Sequence, residues 1–168
     1  GVYYEAADDC IEFLLTVGEL PQFVLGDLTE QRNGIRLSRG LTARVIAQAG
    51  EPVVFTSSEA AVPESTLPFH KNPDGAAVFQ LDDGGFIYVS NSEEPDQLGG
   101  VYGLEFDSKG YLRDYRMMLN ETSSNCNGGV TPWNTWISCE EVPGGQCWQV
   151  DPYGKQAPAE TRLGGSEG

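Results

Sequence analysis

Residues 125–141 of this chain read NCNGGVTPWNTWISCEE, which sets Cys126, Cys139 and the closing pair Glu140–Glu141 among glycines, a proline and two tryptophans. Thiolates hold transition metals and carboxylates hold hard cations, so the stretch carries the side chains of a metal site. The two cysteines also have a plainer reading, as small buried residues or as a disulfide pair. A Cys139–Cys147 bridge would close a hairpin-sized loop and stands beside those readings. The four cysteines (Cys10, Cys126, Cys139 and Cys147) allow three full pairings and match no tight zinc spacing.

Other reactive side chains are sparse. His70, the single histidine, lies in the turn-like PFHKNPDG without a partner cluster and reads as a surface residue. Asp74 and the Asp82–Asp83 pair read as turn formers. Ser57, Ser58 and Ser90 have no nearby base, which excludes a serine hydrolase triad. Trp133, Trp136 and Trp148 read as core or inter-blade packing. Asn120-Glu121-Thr122 is a glycosylation sequon.

With 25 acidic residues against 10 basic ones in 168, the formal net charge is −15. That field repels phosphate backbones and anionic lipid, excluding a nucleic-acid role, and it suits hard cations such as calcium. No apolar run approaches the roughly 18 residues needed to cross a membrane. The opening GVYYEAADD reads as a processed or truncated start with no targeting segment. Sequon and cysteines together point to an oxidising, extracytoplasmic compartment: secreted, periplasmic or an organelle lumen.

These residues must be positioned by two unlike parts. In residues 1–33, Asp8 and Asp9 could cap a short helix whose apolar face is Ile11, Phe13, Leu14 and Leu15, with Pro21 and residues 30–34 as connection. Residues 34–168 are punctuated as an all-β protein: ARVIAQ, AAVFQL, FIYVSN, VYGLEF, YLRDYRMM, TWISC and CWQV alternate with Gly, Asp, Pro and Asn clusters. LDDGGF, FDSKGY and VDPYGK carry hairpin-turn chemistry. IYVSNSEE at 87–94 is echoed by TWISCEE at 135–141, and GGVYGLEFDSKG at 99–110 by GGQCWQVDPYG at 144–154. The offset, roughly 44 to 48 residues, is that of propeller blades. The expected fold is therefore a partial β-propeller of about two four-stranded antiparallel blades behind a short, partly helical arm. VFTSSE at 54–59 only faintly echoes the strand-plus-acid element.

The long motif resembles the Asn-Cys-x-Gly-Gly-x-Thr-Pro-Trp-Gly-Thr-x-x-Ser/Thr-Cys-Glu-Glu element of PhoX-type alkaline phosphatases. GIRLSRGLTARVIAQAGEPV, PDGAAVFQLDDGGFIYVSNSEE and GGVYGLEFDSKGYLRDYR support the resemblance in the family's order. It implies a six-bladed propeller with calcium and iron on its axis, and a secreted phosphomonoesterase activity. On that resemblance Cys126 is the iron-binding thiolate, Glu140 or Glu141 a metal carboxylate, and Glu93 another. Asn91 and Asn125 are the supporting or ligand positions it implies. The chain departs from the pattern at Asn134, where the family has glycine, and at Ser92, where classical members have histidine.

Two functions follow as expectations. The first is a segment of a metal-dependent phosphomonoesterase, inactive by itself, completed by further blades. The second is a non-catalytic acidic β-rich subunit derived from that family, docked in a larger extracytoplasmic assembly. In both, remaining blades or a partner protein cover open sheet edges.

Overall fold

A computed structural model describes residues 11–17, 27–30, 34–38 and 40–164, and every regular element among them is a strand. In chain order, β1 (Ile11–Val17), β2 (Leu28–Glu30), β3 (Arg36–Ser38), β4 (Leu41–Gln48), β5 (Pro52–Val54) and β6 (Glu64–Pro68) form three antiparallel pairs: β1 with β4, β2 with β3, and β5 with β6. The short helix expected around Ile11, Phe13, Leu14 and Leu15 is replaced by β1, whose register sets Ile11 opposite Gln48 and Val17 opposite Leu41. IEFLLTV is rich in β-branched and aromatic residues, which lose side-chain freedom in a helix and fit a pleated strand. Asp8, Asp9 and Pro21 lie outside the described residues. The VFTSSE echo yields no strand beyond Val54, where β5 ends.

Two larger sheets follow, each a four-stranded antiparallel meander. The first holds β7 (Pro73–Gln80), β8 (Phe86–Ser92), β9 (Gly99–Phe106) and β10 (Leu112–Thr122); the second holds β11 (Asn125–Val130), β12 (Trp136–Glu140), β13 (Gln146–Val150) and β14 (Ala159–Gly164). All seven strand runs read from the sequence are strands. The internal repeat is structural too, since its echoed segments are the second and third strands of each sheet.

The three Asp-rich turns all close hairpins. Gly84, Gly110 and Gly154 donate to the carbonyls of Leu81, Asp107 and Asp151 at 3.1, 2.9 and 3.1 Å, each with a positive φ that glycine adopts without strain. In the β11–β12 hairpin, Asn134 takes φ 61° where the resembling family has glycine. Asparagine is among the few residues that tolerate this region, so the substitution keeps the turn.

Period-two alternation explains why the first sheet is buried on both faces. Along β8 and β9 the pairs Phe86–Phe106, Tyr88–Leu104 and Ser90–Tyr102 face a core completed by Val53, Phe69, Leu112 and Tyr115. Ile87, Val89 and Val101 face the second sheet, where Trp136 and Val150 meet them. Ile87 and Val89 have no solvent exposure, and truncating Ile87 to alanine should cost about 2–5 kcal/mol. This second core packs the two meanders together and brings their strand ends into one neighbourhood.

Candidate carboxylate and thiol site

Four strand ends meet at one edge of the paired sheets. β7 begins at Pro73–Asp74, β8 runs out into Glu93, β11 begins at Asn125–Cys126, and β12 runs out into Glu141. Gly75 allows the approach, because a Cβ there would lie 2.8 Å from the Cys126 carbonyl oxygen and 2.9 Å from Asn127 Cα. As a result, ligand atoms of Asp74, Glu93 and Cys126 lie within 4.8 Å of one another, all partly buried. Two oxygens bound to one calcium-sized cation sit at most about 5 Å apart, so the spacing suits a single ion.

The electrostatics point the same way. The Glu141 carboxylate accepting the thiol's hydrogen bond, partial burial, and the charge of Asp74 push Cys126 up to about 12. Burial, a hydrogen bond with Asp74, and the charges of Asp74 and Glu141 raise Glu93 above the usual carboxylate range. Acids crowd acids here. A cation inverts that balance, because it stabilises carboxylates and thiolate alike. The grouped donors, two carboxylates and one thiol, with Glu141 hydrogen-bonded to the thiol, therefore fit the calcium or iron that the resemblance implies.

The neighbouring acids have other work. Glu140 accepts hydrogen bonds from Ser123 N at 2.7 Å, Gln146 N at 2.9 Å and Trp148 Nε1 at 3.3 Å, which ties β12 to β13 and to the β10–β11 connection. Glu94 accepts from the Asn72 side chain. Each acidic pair thus has one structural member (Glu94, Glu140) and one that reaches the thiol group (Glu93, Glu141). Of the alternatives at 140–141, Glu141 is the residue beside Cys126.

Asn91 and Asn125 support the site from beneath. Asn91, fully buried, accepts from Trp136 Nε1 at 2.9 Å and donates to the carbonyls of Cys126 and Asn127 at 3.3 Å. Asn125, also fully buried, accepts from Thr122 Oγ1 at 2.5 Å and donates to Ser138 Oγ at 2.9 Å. Their side chains are spent on protein partners. Backbone bonds complete the fastening: Glu93 N to Asn72 O at 2.9 Å, Ser124 N to Glu94 O at 2.8 Å, and Glu141 N to Ser124 O at 2.8 Å.

Backbone strain gathers at the same place. Among described non-glycine residues with positive φ, Asn72 at 45° and Ser124 at 51° are bonded through their backbones to Glu93 and to Glu94 and Glu141. Such conformations persist only where surrounding contacts impose them.

Several sequence expectations need correction. Asp74, read as a turn former, stands in β7 and in the thiol group. Counting back from the LDDGGF hairpin reaches only Ala76 opposite Ser90; a bulge beyond it sets Pro73 opposite Ser92, so the local pattern does not place Asp74. His70 is buried, not on the surface: its ring stacks on Tyr102 at 4.6 Å, and its Nε2 lies 3.0 Å from Ser90 Oγ. Ser90 therefore has a base beside it, although both are shut away from solvent and Nδ1 of His70 faces Tyr115 rather than a carboxylate. Trp136 and Trp148 pack as expected, whereas Trp133 is 63% exposed. Asp83 is a turn former, its Oδ1 accepting from Gly85 N at 2.8 Å. Cys139 bonds to Cys147 across β12 and β13, and Cys126 is free. That removes the Cys126–Cys139 alternative. Asn120 is exposed on β10.

Fold and site together describe a β-meander protein with a candidate carboxylate–thiolate cation centre between its two larger sheets. Residues 108–168 match the family model described as alkaline phosphatase PhoX. The match includes Cys126, Glu140, Glu141 and the disulfide, while Asp74 and Glu93 lie outside it. Comparisons with curated proteins and with solved structures returned no match.

Proposed function

We propose that the chain is part of a PhoX-like, metal-dependent phosphomonoesterase, and that Asp74, Glu93, Cys126 and Glu141 hold a cation of that enzyme. The observation that carries this reading is the convergence of those side chains, Cys126 and Glu141 from the matched region and Asp74 and Glu93 from residues outside it. Calcium satisfies the carboxylates and iron the thiolate, and either would polarise a phosphoryl oxygen or lower the pKa of a water molecule. The chain's own contribution is positional. Asn91 fixes the carbonyls of Cys126 and Asn127, Glu140 and Asn125 hold the loop around Ser123–Ser124, and Glu141 takes the thiol's hydrogen bond until a cation replaces the proton.

In this reading the two meanders are propeller blades, and further blades complete the ring and supply the remaining ligands. The Cys139–Cys147 bridge supports an oxidising, extracytoplasmic location. The deciding experiment is elemental analysis of the native full-length protein with a p-nitrophenyl phosphate assay, before and after chelation. Stoichiometric calcium or iron and chelator-sensitive hydrolysis are expected. A metal-free, inactive protein would refute the enzyme and favour the non-catalytic subunit.

A further inference from the structure

At the opposite end of the same strands, an open groove of about 750 Å³ runs between the two sheets. One wall is the β13–β14 hairpin, which Tyr153 anchors by donating from its hydroxyl to Gln80 O at 3.1 Å. Another is the β11–β12 hairpin, which presents the indole of Trp133, 63% exposed, beside Asn134.

Most of the groove's charges are already committed. Arg113 pairs with Glu59, Asp83 and Glu105 at 2.8, 2.7 and 2.9 Å, and Arg116 pairs with Glu105 and Asp114 and donates to Pro152 O. Although burial pushes Glu105 up, the hydrogen bonds from Arg116 and Arg113 outweigh it and hold the carboxyl below its usual range. Asp151 accepts from the backbone N–H groups of Tyr153, Lys155 and Gln156, and the Lys155 ammonium lies over the Tyr153 ring at 5.2 Å. Both guanidinium groups are already paired with carboxylates, which disfavours an anion, and those carboxylates are thereby withheld from a divalent cation. What remains is an aromatic face and the side-chain amides of Asn134, Gln149 and Gln156, none of which bonds another described residue.

An aromatic platform flanked by amides that both donate and accept matches a sugar ring, whose C–H face is apolar and whose hydroxyls need two-way partners. We propose that this groove binds a neutral oligosaccharide, with Trp133 as the stacking platform and Asn134, Gln149 and Gln156 as hydroxyl partners. The site is independent of the cation centre, because the two occupy opposite ends of β7, β8, β11 and β12.

The test is a tryptophan-fluorescence titration of the full-length protein with maltohexaose and cellohexaose, with inorganic phosphate as the anionic comparison. A saturable change with at least one hexasaccharide, at about millimolar affinity, is expected. Trp133→Ala should weaken it at least tenfold, read by calorimetry, with metal content and thermal midpoint unchanged. Trp133→Phe should bind measurably, Gln149→Leu should bind several-fold more weakly, and Glu141→Gln should bind as the wild type does. Should Trp133→Ala fail to fold, the Trp133→Phe and Gln149→Leu variants decide. No response to either sugar, undiminished binding by the variants, or saturable phosphate binding in the groove would each overturn the proposal.

Discussion

The side-chain oxygen of Asn91 accepts a 2.9 Å hydrogen bond from the indole N–H of Trp136, joining the second strand of one meander to the second strand of the other. Asn91 also holds the two carbonyls at the start of β11. Replacing it with leucine leaves the buried indole N–H, and the part-buried carbonyls of Cys126 and Asn127, without this partner. We expect Asn91→Leu to cost about 2–4 kcal/mol by denaturant unfolding, since each orphaned buried group carries a desolvation penalty. A loss under about 0.5 kcal/mol, the range of ordinary surface changes, would show that this bridge does not hold the sheets.

Glu140 and Glu141 should separate stability from cation binding. Glu140→Ala removes the acceptor for three N–H donors and should destabilise the fold by about 1–3 kcal/mol. Glu141→Ala should leave the unfolding midpoint near the wild-type value while lowering bound calcium or iron several-fold. Paired thermal melts and elemental analysis of the two variants check both halves, and equal effects would contradict the division.

Gly75 is the point of close contact between β7 and β11. A Cβ there would lie 2.8 Å from a backbone oxygen, which cannot rotate away as a side chain can. Gly75→Ala should force the strands apart, costing about 1–3 kcal/mol of stability and also weakening the cation site, because Asp74 and Cys126 separate. Calcium titration by calorimetry would detect the second effect.

Burial lowers His70 from 6.5 to about 3. The unfolded chain therefore binds a proton that the folded one does not between those pH values, and the corresponding stability is complete above about 6.5 and falls as pH drops toward 3. The groups facing the ring are the Ser90 hydroxyl and the phenols of Tyr102 and Tyr115, none of which supplies a negative charge at these pH values. His70→Gln should flatten the acid limb of the stability profile between pH 6.5 and 4. The wild type should lose about 2–3 kcal/mol more than the variant over that interval. Parallel acid limbs would mean that His70 is not neutral in the folded protein.

Much of the architecture was legible because hairpins are local. Alternation in FIYVSN and VYGLEF, glycine at the left-handed position of the LDDGGF, FDSKGY and VDPYGK turns, and the echo between 87–94 and 135–141 are near-neighbour patterns, and the segments they mark are realised as hairpins and paired strands. The arm was misread because four apolar residues can serve a helical face or a strand equally well. Pairing with β4, a partner distant in sequence, decides between them.

At the site, composition alone determined that thiol and carboxylates were available in 125–141 and that the chain's charge favours cations. Which acids serve could not be read locally. A side chain's direction flips with each residue of a strand, and the bulges in the β7–β8 and β11–β12 pairs shift the count. Tertiary packing set Glu93 and Glu141, rather than Glu94 and Glu140, beside the Cys126 thiol together with Asp74, gave Asn91 and Asn125 protein partners, buried His70 and exposed Trp133. These outcomes depend on how one sheet's face meets the next, a contact between residues far apart in sequence that no single stretch encodes.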